Sequence, residues 1–205
     1  MKKIFLLLIL PAIAGCNLIG APLSILTQNQ TKKYPAEYAD LPGKSLVIWV
    51  WADDSLLFDY PVIRYDVANH TKYFLSRHVK NLKIVDPASV AKFQRTQYEA
   101  DTMLITQIGK KFNTDIVLFI QVSDFITRPA DAPNLFQGNI KADCALYDSK
   151  GGTTVRESKL WSGVINVTYP DHPVGMYDAS DLAIRSMLLK LFGETLAKKF
   201  YEYRQ

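Results

Sequence analysis

The sequence predicts an α/β fold, a mixed sheet of about five strands with helices packed on it. Two strongly apolar segments, Ser45 to Trp51 and Ile116 to Phe125, are typical of strands buried on both faces. Other segments carry apolar residues at helical spacing, and a later one alternates as an antiparallel strand does. Strands and helices alternate first and two strands then follow each other, which indicates parallel and antiparallel pairs in one sheet.

In the first half, the strand at Ser45 is followed by a predicted loop from Asp53 to Pro61. A helix then begins at Ile63 because apolar residues recur on one face: Ile63, Val67, Thr71, Phe74, Leu75 and His78. Leu82 to Val85 is a short second strand that Asp86-Pro87 ends. Helices are expected from Ala88 to about Arg95 and from Asp101 to Phe112, before the strand at Ile116.

The second half predicts a carboxy-terminal β-hairpin and a final helix. Phe136 to Asp148 alternates, which directs two sets of side chains to opposite faces: Ile140, Ala142, Cys144 and Leu146 inward, and Asn139, Lys141, Asp143 and Ala145 outward. Ser149 to Gly152 is the turn, and Val155 to Tyr169 returns with a bulge at Ser162-Gly163. Asp178 or Ser180 caps the final helix, whose apolar stripe contains Ile184, Met187, Leu188, Leu191, Phe192 and Thr195.

The amino terminus has the pattern of an export signal. Lys2 and Lys3 precede the apolar run Ile4 to Leu10, which is shorter than the ~20 residues that span a bilayer. Ile13-Ala14-Gly15-Cys16 matches the lipobox of bacterial lipoproteins. That match implies cleavage after Gly15 and fatty acylation (such as palmitate) at Cys16. By resemblance to the enterobacterial sorting rule, Asn17 favours the outer membrane, facing the periplasm.

These features divide the chain into three predicted parts: a signal peptide (1–15), a lipidated cysteine with a tether (16–43), and one α/β domain (44–205). Loss of residues 1–15 lowers the formal net charge from +4 to +2 because two lysines and no acid are removed. A chain this close to neutral lacks the basic excess that binds nucleic acid. Cys144 is then the one remaining cysteine, so neither an intrachain disulfide nor a cysteine-based zinc site is expected.

Several segments resemble an α/β domain found in envelope proteins. They are the lysine-led strand Lys44 to Trp51, the element LKIVDP from Leu82 to Pro87, the helix end Ile108 to Asp115 before IVLFIQV, and Ala145 to Asp148 with Gly151-Gly152. Similar elements occur in the TolB amino-terminal domain, the curli-secretion lipoprotein CsgG, and the lipoprotein activators of penicillin-binding proteins. The resemblance implies the fold and the envelope compartment, and no named activity.

The candidate site residues each have a functional and a structural interpretation. Asp53 and Asp54, with Asp59 nearby, follow the first strand, where α/β sheets often bind ligands; they either bind a cation or act as acid and base, or they cap turns in a solvated loop. His78 lies on the apolar stripe, which favours a packed, hydrogen-bonded ring over a metal ligand. Cys144 is expected to be a buried structural thiol. We found no sequence motif for a cofactor or a resident metal.

Two functional hypotheses follow from this sequence. The first is a non-enzymatic, lipid-anchored periplasmic module that binds another envelope protein or helps to assemble a structure. The alternative is a small-ligand or cation-binding protein, or an enzyme, that uses the Asp53-Asp54 loop. A flat apolar patch would favour the first hypothesis, and a deep polar pocket at the two aspartates would favour the second.

Overall fold

The structure, a computed structural model, describes residues 32–151 and 158–205. The signal peptide and the lipobox with Cys16 lie outside these residues, as do Gly152 of the predicted turn and the first residues of the predicted returning strand from Val155. A compact unit runs from Tyr34 to Tyr203. Within the described residues, no helix combines the length and the hydropathy that crossing a membrane requires.

Strands β2 to β6 form the predicted mixed sheet, in the order β3-β2-β4-β5-β6. Strand β2 pairs in parallel with β3 and β4, whereas β4-β5 and β5-β6 are antiparallel pairs. A separate two-stranded sheet joins β1 and β7. The strand bounds are β1 Lys33–Tyr34, β2 Ser45–Ala52, β3 Lys83–Ile84, β4 Ile116–Ile126, β5 Leu135–Asp148, β6 Lys159–Gly175 and β7 Tyr203–Arg204.

Five α-helices belong to the described residues: α1 Asp54–Asp59, α2 Ile63–His78, α3 Pro87–Thr96, α4 Ile105–Phe112 and α5 Asp181–Ala197. Short 3₁₀ turns lie at Ala100–Thr102 and Lys198–Phe200. Helix α5 begins where the sequence predicted, because the Ser180 hydroxyl accepts a hydrogen bond from the Ala183 amide at 3.3 Å. On this helix Leu189 and Leu196 are buried, while the predicted stripe residues Met187 and Leu191 are half-buried.

The helices cover the sheet in two layers. Helices α2 and α5 pack on one face, where the main apolar core includes Ile48, Leu118, Ile140 and Phe192. Helices α3 and α4 pack on the opposite face over β2 and β4, where a smaller core surrounds Trp49. Ala145, which the alternation directed toward solvent, is buried because its strand position lies beneath this second layer.

Asp115 joins the amino ends of the two long parallel strands. Its carboxylate accepts hydrogen bonds from the Ser45 hydroxyl at 2.7 Å and the Ser45 amide at 3.0 Å. The Lys150 ammonium lies 3.0 Å from the same carboxylate. The hydrogen bonds from Ser45, followed by the one from Lys150, hold the pKa of Asp115 well below its usual range. The carboxylate is therefore ionised at neutral pH and ties β2 to β4.

Three sequence predictions of local structure are corrected. The predicted loop from Asp53 to Pro61 contains helix α1, because Asp53 caps it by accepting the Leu56 amide at 2.8 Å. The predicted helix from Asp101 to Phe112 is interrupted, since Met103 is extended and α4 begins only at Ile105. The register of β6 is irregular between Lys159 and Trp161, where Leu160 has no partner, and again between Tyr169 and Val174, whereas Ser162-Gly163 pairs regularly with β5.

Residues 34–43, which the sequence analysis places in the tether, make contacts in the compact unit. Leu41 is fully buried in the main core, and the Glu37 amide donates to the Lys199 carbonyl at 2.8 Å. The Trp161 indole also donates to the Glu37 carboxylate at 2.9 Å. That residues 16–43 act as a tether stays a prediction, but the part from Tyr34 packs with the domain.

Candidate functional site

A cleft of about 310 Å³ opens at the carboxyl end of strand β2. It lies between the amino-terminal part of α2, which belongs to one helical layer, and α3, which belongs to the other. The carbonyl groups at the end of β2 position its polar side chains: the Arg64 guanidinium donates to the Ala52 carbonyl at 3.3 Å, and the Gln94 amide donates to the Val50 carbonyl at 2.9 Å. We call it the carboxyl-end cleft.

The polar wall of the carboxyl-end cleft carries more positive than negative charge. Its members are Arg64, Tyr65, Gln94, Arg95 and Asp101. Arg64 forms an ion pair with Asp101 at 2.9 Å, with its own side chain 11% exposed. Arg95 is exposed and makes no ion pair with the part of the chain that the structure describes. The wall therefore holds two guanidinium groups against one carboxylate.

The apolar wall continues onto an exposed rim. Leu57, Pro61, Val62 and Ala91 line the cleft on this side. Val62 is 50% exposed, and Phe58, the neighbour of Leu57 on α1, is 86% exposed. Large apolar side chains grouped around a cationic recess are common where proteins bind other proteins, since aromatic residues and arginine contribute most to such contacts.

The structure places Asp53 and Asp54 near this end of the sheet but outside the lining of the carboxyl-end cleft. Asp53 accepts hydrogen bonds from the Leu56 amide and from the Ser55 hydroxyl at 2.9 Å, and these bonds lower its pKa. Both aspartates are exposed. No group of three or more histidine, cysteine, aspartate or glutamate residues that could hold a metal occurs in residues 32–151 and 158–205. A ligand role for Asp53-Asp54 stays a prediction.

The other two candidate residues, His78 and Cys144, pack against side chains of the fold. His78 was predicted to be packed on the apolar stripe, but it is exposed at the last turn of α2 and its ring stacks on Tyr201 with centroids 4.3 Å apart. Cys144 is 2% exposed, as the strand alternation predicted, and burial raises the pKa of its thiol. A thiol with a raised pKa is a poor nucleophile near neutral pH.

A larger cavity of about 580 Å³ lies between α4 and the end of β5. Thr114 and Ser149 line it, and their buried hydroxyl groups have no hydrogen-bond partner among the described residues. Gly109 packs so tightly against Ser149 that a Cβ atom there would collide with its side chain. Gly151 also lines this cavity.

The sequence analysis missed the arginines of the carboxyl-end cleft. Arg64 follows the first apolar position of α2, and Arg95 lies in the last turn of α3. Solvent-facing arginines are common at both positions, so the local sequence pattern does not indicate a function. The site becomes visible only through the contact of Arg64 with Asp101, which is 37 residues away and comes close to it only in the folded chain.

No protein-family model and no curated protein matches this sequence. Solved structures with a similar fold include bacterial lipoproteins. The lipoprotein GNA1162 from Neisseria meningitidis is 16% identical, with a TM-score of 0.43 over 75% of this chain and 98% of that one. The PelC dodecamer from Paraburkholderia phytofirmans is 10% identical, with a TM-score of 0.47 over 83% of this chain and 98% of that one. TolB from Acinetobacter baumannii is 11% identical, with a TM-score of 0.33 over 83% of this chain and 30% of that one. These likenesses concern the fold.

Proposed function

We propose that this protein is a lipid-anchored lipoprotein of the bacterial envelope that acts by binding a partner protein, rather than by catalysis. The lipobox ending at Cys16 supports the anchor, and the order of signal elements before it supports export. The outer membrane, with the domain in the periplasm, is the site that Asn17 favours. Each acyl chain adds hydrophobic attachment, so two or three chains hold the protein stably without a membrane-spanning segment.

The observation that carries the binding role is the exposed apolar rim of the carboxyl-end cleft. Phe58 belongs to a six-residue helix that buries none of its residues, and Val62, which lines the cleft with Leu57, is half-exposed. Bare apolar surface is unfavourable in water, and covering it on association is a main source of binding free energy. The neighbouring Arg64 and Tyr65 are of the residue types that dominate protein interfaces.

The anchor is tested by metabolic labelling with a fatty acid. The wild-type protein is expected to carry the label, and the Cys16→Ala variant is expected to lose both the label and cleavage after Gly15. Labelling of the Cys16→Ala protein would contradict the assignment of the lipid to Cys16.

The binding role is tested by photocrosslinking in intact cells, with the photoreactive residue at Tyr65 in the cleft. A second protein carries it at Tyr177, which is fully exposed but belongs to the turn before α5. Tyr65 is expected to crosslink to one discrete envelope protein, and Tyr177 is not. The Phe58→Ser change should weaken the Tyr65 crosslink because it removes the most exposed apolar side chain of the rim. The same crosslinks from both positions, or no effect of Phe58→Ser, would contradict a docking role for the rim.

A further inference from the structure

Arg64 has more hydrogen-bond donors than find acceptors among residues 32–151 and 158–205. Its side chain is 11% exposed, and one nitrogen, Nη2, serves both the Ala52 carbonyl and the Asp101 carboxylate. The Nε atom is buried and has no hydrogen-bond partner in the part of the chain that the structure describes. A guanidinium carries five N–H donors in a planar fork, and a buried donor without an acceptor is unfavourable. The Nη1 group, which makes no hydrogen bond among the described residues and is not buried, can therefore donate to an acceptor that enters the cleft.

The charges around Arg64 favour an anionic acceptor. Arg95 lines the same cleft from α3, and Asp101 provides the cleft's one carboxylate. The acidic residues Asp53, Asp54 and Asp59 near the same end of the sheet are not part of its lining. Planar guanidinium groups match the two oxygens of a carboxylate, and a second guanidinium strengthens the attraction.

The apolar wall distinguishes a carboxylate on a polypeptide from a free ion. Leu57, Val62 and Ala91 face the same recess, and a small hydrated anion would leave these side chains uncovered. An acidic side chain with apolar neighbours would place its carboxylate at the arginines and its neighbours on this wall. The cleft volume of about 310 Å³ suits such a short segment better than a whole folded element.

We propose that the carboxyl-end cleft binds an acidic side chain, flanked by apolar residues, of the partner protein. Arg95 and the unsatisfied donors of Arg64 receive the carboxylate, and Leu57 with Val62 receives the apolar flank. This inference rests on the proposed function, because it names the chemistry of the partner that docks there.

The test uses two matched peptides, acetyl-Leu-Glu-Phe-amide and acetyl-Leu-Gln-Phe-amide, which differ in charge and hardly in shape. Each is titrated into the lipidated protein in detergent micelles and followed by ligand-observed NMR, with empty micelles as the blank. We expect the Glu peptide to bind at least about tenfold more tightly than the Gln peptide, which is about 1.4 kcal/mol. Equal affinities, or no binding of either peptide at millimolar concentration, would overturn the proposal.

Two variants test whether the arginines of the cleft cause the preference for the Glu peptide. Arg95→Gln should reduce the affinity for the Glu peptide to that for the Gln peptide, and this exposed position is not needed for folding. Arg64→Lys should weaken binding as well, since it keeps the charge but loses the planar fork. The matched control is Arg77→Gln, an exposed arginine at the other end of α2 that contacts Tyr73. Unchanged binding in Arg95→Gln, or the same loss in Arg77→Gln, would place the charge recognition elsewhere and overturn the inference.

Inorganic phosphate is the competitor that separates a free anion from an acidic side chain. Phosphate that displaces the Glu peptide at concentrations where acetate does not would indicate a free-anion site and overturn the inference. The proposed function is judged separately. If the Tyr65 crosslink persists and still depends on Phe58 while the two peptides bind equally, the docking surface stands and only the carboxylate preference fails.

Discussion

The two halves of the sheet differ in how the helices cover them. The parallel half, strands β3, β2 and β4, has α2 and α5 on one face and α3 and α4 on the other. The antiparallel half, strands β5 and β6, shares the first layer, but most of its opposite face is exposed. This exposed face carries Lys141, Asp143, Ser162, Val164 and Asn166.

The difference follows from how each kind of strand pair is connected. Parallel neighbours need a crossover, and the crossover helices must lie on the faces of the sheet. Antiparallel neighbours need only a turn, so the pairing of β5 with β6 requires no crossover helix on a face of the sheet. Whether helices cover one or both faces of a strand decides which residues the strand carries. Strands β2 and β4 are nearly continuous apolar runs, whereas apolar and polar residues mostly alternate in β5 and β6. The carboxyl-end cleft lies in the parallel half because two helical layers meet there at the end of β2.

The largest expected effect compares one tryptophan in each half. Trp49 on β2 is 1% exposed and packs against Phe93 and Phe112. Trp161 on β6 is half-buried and packs against Phe200. Trp49→Ala is expected to lower the free energy of unfolding by about 3–5 kcal/mol. Trp161→Ala, which removes less buried area, is expected to lower it by about 1–2 kcal/mol.

Urea unfolding of the mature protein, followed by circular dichroism, measures both changes. Losses of equal size for the two variants would mean that the packing of Trp161 on Phe200 stabilises the fold as much as the packing around Trp49 does.

An intermediate effect is expected at Gly138 on β5, where α5 packs on the antiparallel half. A Cβ atom there would lie 2.7 Å from the Ile126 carbonyl oxygen and 2.5 Å from a Leu188 methyl group. Because the backbone oxygen cannot move aside, Gly138→Ala is expected to cost about 1–3 kcal/mol, measured as the shift in the thermal unfolding midpoint.

Gly175→Ala on β6 is the control for this substitution, since its Cβ would have one close neighbour, the Asp178 carboxylate oxygen, at an ordinary contact distance of 3.5 Å. We expect a change within about 0.5 kcal/mol. A Gly138→Ala protein as stable as the control would show that α5 does not lie as closely on β5 as the structure has it.

The smallest effect on stability is expected for a cysteine introduced on the exposed face of the antiparallel half. Its thiol should nevertheless differ greatly in reactivity from Cys144 on the other face. Cys144 points into the main core, and burial raises the pKa of its thiol. The thiolate is the reactive form, so near pH 8 the native thiol should react slowly with iodoacetamide and the unfolded chain, with an ordinary pKa of ~8.5, should react fast. Raising the pH toward 9 should speed the unfolded reaction while the native one stays slow.

A thiol placed at Val164, which is 58% exposed on the opposite face, is expected to react quickly in the native protein. The Val164→Cys change should alter the free energy of unfolding by less than about 0.5 kcal/mol. Mass spectrometry of the tagged peptides measures both rates. Rapid native labelling of Cys144, or slow labelling at position 164, would reverse the assignment of the two faces.

Much of the fold could be predicted because its signals are local. The strands at Ser45 and Ile116, the long helix from Ile63 and the inward position of Cys144 were confirmed, since each depends on apolar spacing within one element. Local patterns failed where distant residues decide the outcome. Ala145 looks solvent-facing in its own strand, yet it is buried because α3 and α4 pack over it from another part of the chain.

The same difference between local and distant contacts applies to the candidate site. The lipobox and the position of Asp53 and Asp54 beyond a buried strand were visible in the sequence, and the roles assigned to them stay predictions. The structure showed that Asp53 caps α1, a helix too short and too exposed to leave an apolar period. It also brought Arg64 to Asp101 and Gln94 to the end of β2.

By itself, then, the sequence determined which segments are buried strands or amphipathic helices, and it predicts export and lipidation, because all of these patterns depend on residues a few positions apart. The tertiary structure alone decided which strand faces stay exposed and which polar side chains share a cleft. The physical reason is that burial and charge pairing act through space: Arg64 and Asp101 attract each other only after two crossovers have placed their helices at the same end of the sheet.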